Sequence, residues 1–152
     1  MTRYVPHDVP AGDSSLHEED PAAPPLTRVD LRQMAAAVTA PYRNFVLSRV
    51  DDHCVRMAVM QGQYRWHRHP GFDECFVVLE GRLEIDLADG TTVALLPGET
   101  FTIPAGAVHR TRAAQRTVNL CFEHVDAYTQ VEFMEPTAGT ENRQQRRDRN
   151  DG

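Results

Sequence analysis

From Asn44 onward, apolar and polar side chains alternate with a period of two, in short runs broken by turn-forming residues. The runs are Asn44–Val50, Cys54–Gln61, Tyr64–His69, Glu74–Leu79, Arg82–Leu87, Thr92–Leu95, Thr100–Ile103, Val108–Arg112 and Thr117–Phe122. Between them stand Asp51-Asp52, Gln61-Gly62, Pro70-Gly71, Gly81, Asp89-Gly90, Pro97-Gly98 and Pro104-Ala105-Gly106. Such a period sends successive side chains to opposite faces, so each run predicts a strand with one face inward. Asp89-Gly90 predicts a hairpin through a type I′ turn, which needs positive φ at both central residues. One stretch has a helical period instead. Leu31, Met34, Ala35 and Val38 share a face, Asp30 is suited to be the N-cap, and Pro41 stops the helix. Strands without βαβ alternation predict an all-β sandwich or barrel carrying one short N-terminal helix.

The ends change the picture of size but not of class. Residues 1–27 hold five prolines and the acidic run Glu18-Glu19-Asp20, and residues 136–152 hold no large apolar side chain. Neither segment has the hydrophobic content to offset ordering entropy, so both are expected to be mobile: an N-terminal arm and a disordered C-terminal tail. One folded unit, residues 28–135, remains.

Formal net charge is −6 and the basic residues form no stripe, which argues against nucleic acid as a partner. All 16 basic residues are Arg, which excludes a lysine Schiff base. No run approaches the roughly 18 apolar residues of a membrane span, and no apolar signal core is present. Cys54, Cys75 and Cys121 are widely spaced with no CxxC. That pattern suits buried thiols in a reducing, cytoplasmic setting.

The candidate chemistry is a set of four residues. His67 and His69 are two apart in a strand-like run and project to one face. Glu74 follows across the Pro70-Gly71 turn and faces the pair from an adjoining strand. His109 comes just after Pro104-Ala105-Gly106, at the start of a later strand. Imidazoles on an inward face are costly unless their lone pairs are used, and a metal ion uses them well. Three neutral nitrogens and one carboxylate suit one divalent transition metal ion: Fe, Mn, Ni, Co or Zn. Glu74 is a ligand in this scheme or, off the metal, a general base; both roles stay open here.

Two longer patterns contain these residues. Gly62-x4-His67-x-His69-x4-Glu74-x6-Gly81 resembles the first motif of the cupin family, one residue short between its Gly and first His. Gly98-x5-Pro104-x-Gly106-x2-His109 resembles the second, with Ala113 where that pattern often carries Asn. The chain is thereby similar to small bacterial single-domain cupins over roughly residues 28–125. The resemblance implies a double-stranded β-helix, or jelly-roll barrel, with the metal inside and a homodimer as assembly. Edge strands of small barrels also invite pairing. The fold itself hosts isomerases, dioxygenases, lyases, cyclases and plain binders.

Around the metal, strand parity places Arg65 on the face of His67, where its guanidinium would either clamp a substrate carboxylate or phosphate or pair with a carboxylate at the rim. Tyr64 and Phe76 are expected to wall the cavity, and Asn119 to line it as a hydrogen-bonding group. These observations point to a metal-dependent enzyme acting on a small-molecule substrate, with the ion as Lewis acid or O2-binding centre. The alternative is a non-catalytic cupin that binds a small metabolite or stores a metal.

Overall fold

The computed structural model describes residues 20–134; the readings made for residues 1–19 and 135–152 lie outside them. In chain order the elements are α1 (Leu31–Ala36), β1 (Tyr42–Val50), β2 (His53–Gln63), β3 (His67–Arg68), β4 (Glu74–Glu80), β5 (Leu83–Leu87), β6 (Thr92–Leu95), β7 (Thr100–Ile103), β8 (His109–His124) and β9 (Glu132–Phe133). All strand pairs are antiparallel. Among the described residues no helix is long and apolar enough to cross a membrane.

The barrel is organised around β8. It pairs with β2 along residues 112–124, with β4 along 118–123, with β5 along 109–112 and with β3 at His109. The sequence pattern splits this stretch into two runs, Val108–Arg112 and Thr117–Phe122. The structure makes it one strand of 16 residues. The residues Ala114-Gln115-Arg116 that look like a break are exposed strand positions, and the partner register shifts there between Met60 and Gly62. Conversely, Tyr64–Trp66 is not strand, and only His67–Arg68 of the expected Tyr64–His69 run pairs.

Two apolar clusters flank the sheet. Inside the barrel, Phe76, Val78, Leu83, Ile85, Leu95 and Ile103 pack together, each at 6% exposure or less. Burying side chains of this size stabilises by about 1.5–3 kcal/mol apiece. On the outer face of β2 and β8, Val55, Met57, Val59, Val118 and Leu120 pack under Ala35 and Val38 beside α1. Both faces of β2 are therefore buried, which explains its nearly continuous apolar run. Asp30 caps α1, its Oδ1 accepting from Arg32 N and Gln33 N, and the helix ends at Ala36, short of Val38. Ahead of α1, Ala22 N and Ala23 N donate to Val46 O and Leu47 O on β1.

β5 and β6 form the hairpin expected at Asp89-Gly90, but through a different turn. Only Gly90 has positive φ, at 89°, while Leu87 O accepts from Gly90 N and Leu87 N donates to Thr91 O. This is the wider turn with its left-handed residue last, a position that glycine fills without strain.

On the outer surface of β5 and β8, Asp86 accepts from Arg110 Nε at 2.8 Å, Arg112 Nε at 2.9 Å and Thr92 Oγ1 at 2.7 Å. Burial alone would raise the Asp86 carboxyl; the Arg112, Thr92 and Arg110 hydrogen bonds outweigh it and hold the group at about 2. A depressed pKa contributes stability that is present above the unfolded value of 3.8 and is lost as pH falls toward 2. Asp86→Asn is expected to cost about 1–2 kcal/mol at pH 6, with the gap to wild type closing below pH 3. Urea melts of both chains at the two pH values check this; a gap independent of pH would place the cost in packing instead.

Candidate metal centre and its cavity

β3 and the head of β8 lie side by side, with His67 opposite His109. β4 begins at Glu74, opposite Ile103 on β7 and Glu123 on β8. His69 follows β3, ahead of the Pro70-Gly71 turn. The alternation along β4 turns Glu74, Phe76 and Val78 inward and leaves Cys75 half-buried on the other face. All four expected ligands are buried, at 7% exposure or less. One donor atom each from His67, His69 and Glu74 lies within 4.8 Å of the other two. His109 Nε2 stands 3.1 Å from Glu74 Oε2, and His69 Nε2 stands 3.4 Å from the same oxygen. The rings of His67 and His109 are 4.3 Å apart, centre to centre. Asp73 is not part of the cluster; it accepts from Ala105 N at 2.8 Å and ties the two turns together.

The backbone decides which nitrogen of each ring faces the cluster. His67 Nδ1 donates to Arg65 O at 2.8 Å, His69 Nδ1 to Ala127 O at 2.8 Å, and His109 Nδ1 to Ala107 O at 3.0 Å. A carbonyl oxygen only accepts, so each Nδ1 carries the proton, and in a neutral ring Nε2 keeps its lone pair. Cys121 Sγ donates to Glu74 Oε1 at 3.0 Å, which leaves Oε2 toward the histidines. Lone pairs and a carboxylate oxygen converging in a buried space repel one another unless a cation lies among them. Outward-donating imidazoles with an oriented carboxylate have the arrangement that metal ligands have, so the residues fit a divalent ion.

The electrostatics agree. Burial, helped by neighbouring His109, pushes His67 down to about 4, so it is neutral at pH 7 and offers its lone pair. Burial also disfavours charge on His69, but the Glu74 carboxylate outweighs it and raises that ring, since a second proton relieves the same repulsion that a metal would. Burial alone would raise Glu74; the His109 and His69 rings, which donate to it from Nε2 on taking a second proton, outweigh burial and hold the carboxyl well below its usual range. Burial, with the charge of Glu74, raises Glu123 to about 7.

The cluster opens onto a cavity of about 60 Å³. Tyr64 and Phe76 wall it beside the histidines, the Tyr64 ring 5.1 Å from His67 and the Phe76 ring 6.4 Å from His109. Asn119 also lines it, at 2% exposure. Arg65 is absent from the lining. Its guanidinium lies over the ring of Phe133 on β9, 4.2 Å from the centre. Parity fails for Arg65 because the backbone between Tyr64 and His67 is irregular, so Tyr64, three residues from His67, takes the inward place.

Sequence reasoning missed Arg56, Asn44 and Tyr128, which line the cavity together with Glu123. For Arg56 a signal existed: it is the one charged residue in Cys54–Met60, an apolar run on a strand buried on both faces. A charge in that position has to face something polar inside.

Burial raises the thiol of Cys54 to about 11, and burial together with Glu74 pushes that of Cys121 up as well. Iodoacetamide at pH 7.5 is therefore expected to modify the folded chain at Cys75 alone, and all three cysteines after denaturation. Intact-mass and peptide-level spectrometry read this directly. Modification of Cys121 in the folded chain would mean that its bond to Glu74 is not kept.

A small antiparallel barrel with three histidines and a glutamate inside its mouth defines the class: the chain belongs to the cupin family, and residues 55–122 match the cupin domain. It is 50% identical over 102 residues to YdbB of Bacillus subtilis (strain 168), an uncharacterised protein, covering 67% of this chain and 90% of that one. A cupin-2 domain protein from Shewanella frigidimarina has the same fold at a TM-score of 0.60 and 25% identity, over 63% of this chain and 93% of that one. A structure of the DMSP lyases RdDddP and RnDddQII shares the fold alone, at a TM-score of 0.53 and 21% identity, over 62% of this chain and 53% of that one.

Proposed function

We propose that the chain is a metal-dependent enzyme that acts on a small molecule held inside the barrel. The observation that carries this reading is the outward donation of Nδ1 by His67, His69 and His109, which turns their Nε2 atoms and Glu74 Oε2 toward one another. His67, His69, Glu74 and His109 would hold the ion, and the engagement of both Glu74 oxygens supports its reading as a ligand over that as a free base. A divalent ion there supplies Lewis-acid chemistry of the isomerase, lyase or cyclase kind or, if redox-active, the chemistry of a dioxygenase. The chain's own residues do the rest. Tyr64 and Phe76 narrow the cavity and keep bulk water from the reacting atoms. Burial keeps the Tyr64 hydroxyl protonated, so it donates rather than accepts charge. Glu123, across the strand pair from Glu74, is the carboxyl placed to hold a proton at its Oε atoms within the cavity.

The small volume favours a second reading, a non-catalytic cupin that retains a metal with a compact metabolite. Elemental analysis of protein purified without chelator or affinity metal, beside His67→Ala, tests the metal. Near-stoichiometric metal lost in the variant supports the proposal, and a wild type that holds none and takes up none overturns it. Turnover of sugars, β-dicarbonyls and phenolic compounds by the loaded protein separates enzyme from binder.

A further inference from the structure

Beyond the four expected ligands, the lining of the cavity is more polar than an ion alone requires. Arg56 on β2 is 4% exposed, with its Nε donating to Asn44 Oδ1 at 2.7 Å and lying 3.9 Å from Glu123 Oε1. Its guanidinium is stacked over the Tyr128 ring, 4.9 Å from the centre. A buried cation held on three sides in this way is a rigid group facing the cavity. Next to it, in the sheet register Asn44–Ala58–Asn119, the small Ala58 leaves open space between two amides. Asn119 is 2% exposed, and its Oδ1 meets no donor among the described residues. A buried acceptor without a donor is destabilising, whereas a ligand N–H or O–H offsets that cost when it binds.

The remaining groups narrow the ligand further, on the assumption that the metal reading above holds. With a divalent ion among the histidines and with Glu74 and Arg56 charged, the described residues around the cavity carry positive charge in excess whether or not Glu123 holds its proton. That favours an anion, and the planar fork of a guanidinium matches a carboxylate. A cavity of about 60 Å³ admits only a few non-hydrogen atoms. We propose that Arg56 and Asn119 are the recognition end of the cavity for a compact hydroxy-carboxylate, its carboxylate taken by Arg56 and its hydroxyl donating to Asn119 Oδ1.

Calorimetric titration of the full chain, metal-loaded and metal-stripped, with glycolate, acetate and ethylene glycol tests the assignment. Glycolate is expected to bind the loaded chain at least about 10-fold more tightly than either probe lacking one of its groups. Arg56→Gln is expected to remove that affinity, and Asn119→Ala to abolish the preference for glycolate over acetate while leaving acetate binding unchanged. Asn119→Ala also removes the donorless acceptor, so it is expected to melt no lower than wild type. If Arg56→Gln does not fold, Asn119→Ala decides: a preference for glycolate that survives it overturns the proposal, as does glycolate binding no tighter than ethylene glycol. Metal content of the same samples keeps two failures apart. A chain that takes up no metal overturns the metal-dependent reading and the anion assignment with it. A loaded chain that treats glycolate and acetate alike overturns this assignment alone.

Discussion

Glu74→Gln is expected to weaken divalent-metal binding by about 100-fold or more, measured by competition with a chromophoric chelator. The carboxylate is the one formal charge among the four donors, and its Oε2 lies 3.1 Å from His109 Nε2 and 3.4 Å from His69 Nε2. An amide keeps the size and an oxygen for the Cys121 thiol, but it removes the charge and turns an N–H toward two lone pairs. The metal-free chain should lose stability as well, because the neighbouring histidines hold the Glu74 carboxyl well below its usual range and the amide gives up that favourable charge. The expected pair of results is a melting temperature without metal below wild type, and little or no rise on adding metal. An unchanged affinity would remove Glu74 from the donor set and return it to the role of general base.

Gly81→Ala is expected to destabilise the chain by about 3 kcal/mol or more and lower its melting temperature by about 10 °C or more. Gly81 joins β4 to β5 with φ at 81°. A Cβ there would stand 2.5 Å from Thr117 Oγ1, 2.6 Å from Arg116 O and 2.9 Å from Thr117 Cα. Two of those atoms are backbone of β8, and Thr117 Oγ1 is itself fixed between Arg82 N and Arg82 O. Nothing near can yield without breaking the central strand. Gly90→Ala is the control: its φ is 89°, but a Cβ there meets nothing within 4 Å. It should cost only the backbone term of about 1 kcal/mol. Thermal melts of the two variants side by side separate strain from collision, and equal losses would show that the collision is relaxed.

Much of this architecture is legible along the chain. Short alternating runs separated by Gly, Pro and Asp give the strands, and the spacing of His67, His69, Glu74 and His109 gives the inward cluster, since side-chain period and turn chemistry are local properties. What is not local is not legible. β9 is too short to show a period and exists because Glu132 and Phe133 pair with β3. The polar stretch at Gln115-Arg116 reads as a turn because nothing in it announces the partners that keep it extended. Arg65 is misassigned for a related reason: parity holds only while the backbone stays pleated, and it does not between Tyr64 and His67. Arg56 is the converse case, a charge whose purpose appears only when β1, β8 and Tyr128 surround it.

The single long strand β8 also ties the order of synthesis to the birth of the site. His67, His69 and Glu74 leave the ribosome well before His109, and β4 can pair with β7 ahead of it, yet among the described residues β3 pairs only with β9 and, at His109, with β8. Until that strand has emerged, the early histidines sit on chain segments with no sheet to hold them, and their Nδ1 protons have no fixed acceptor. A scavenged ion would meet flexible imidazoles without a cage. Barrel closure and convergence of the four side chains are one event, so any ion that these residues hold would be chosen by the finished fold and not by the nascent chain.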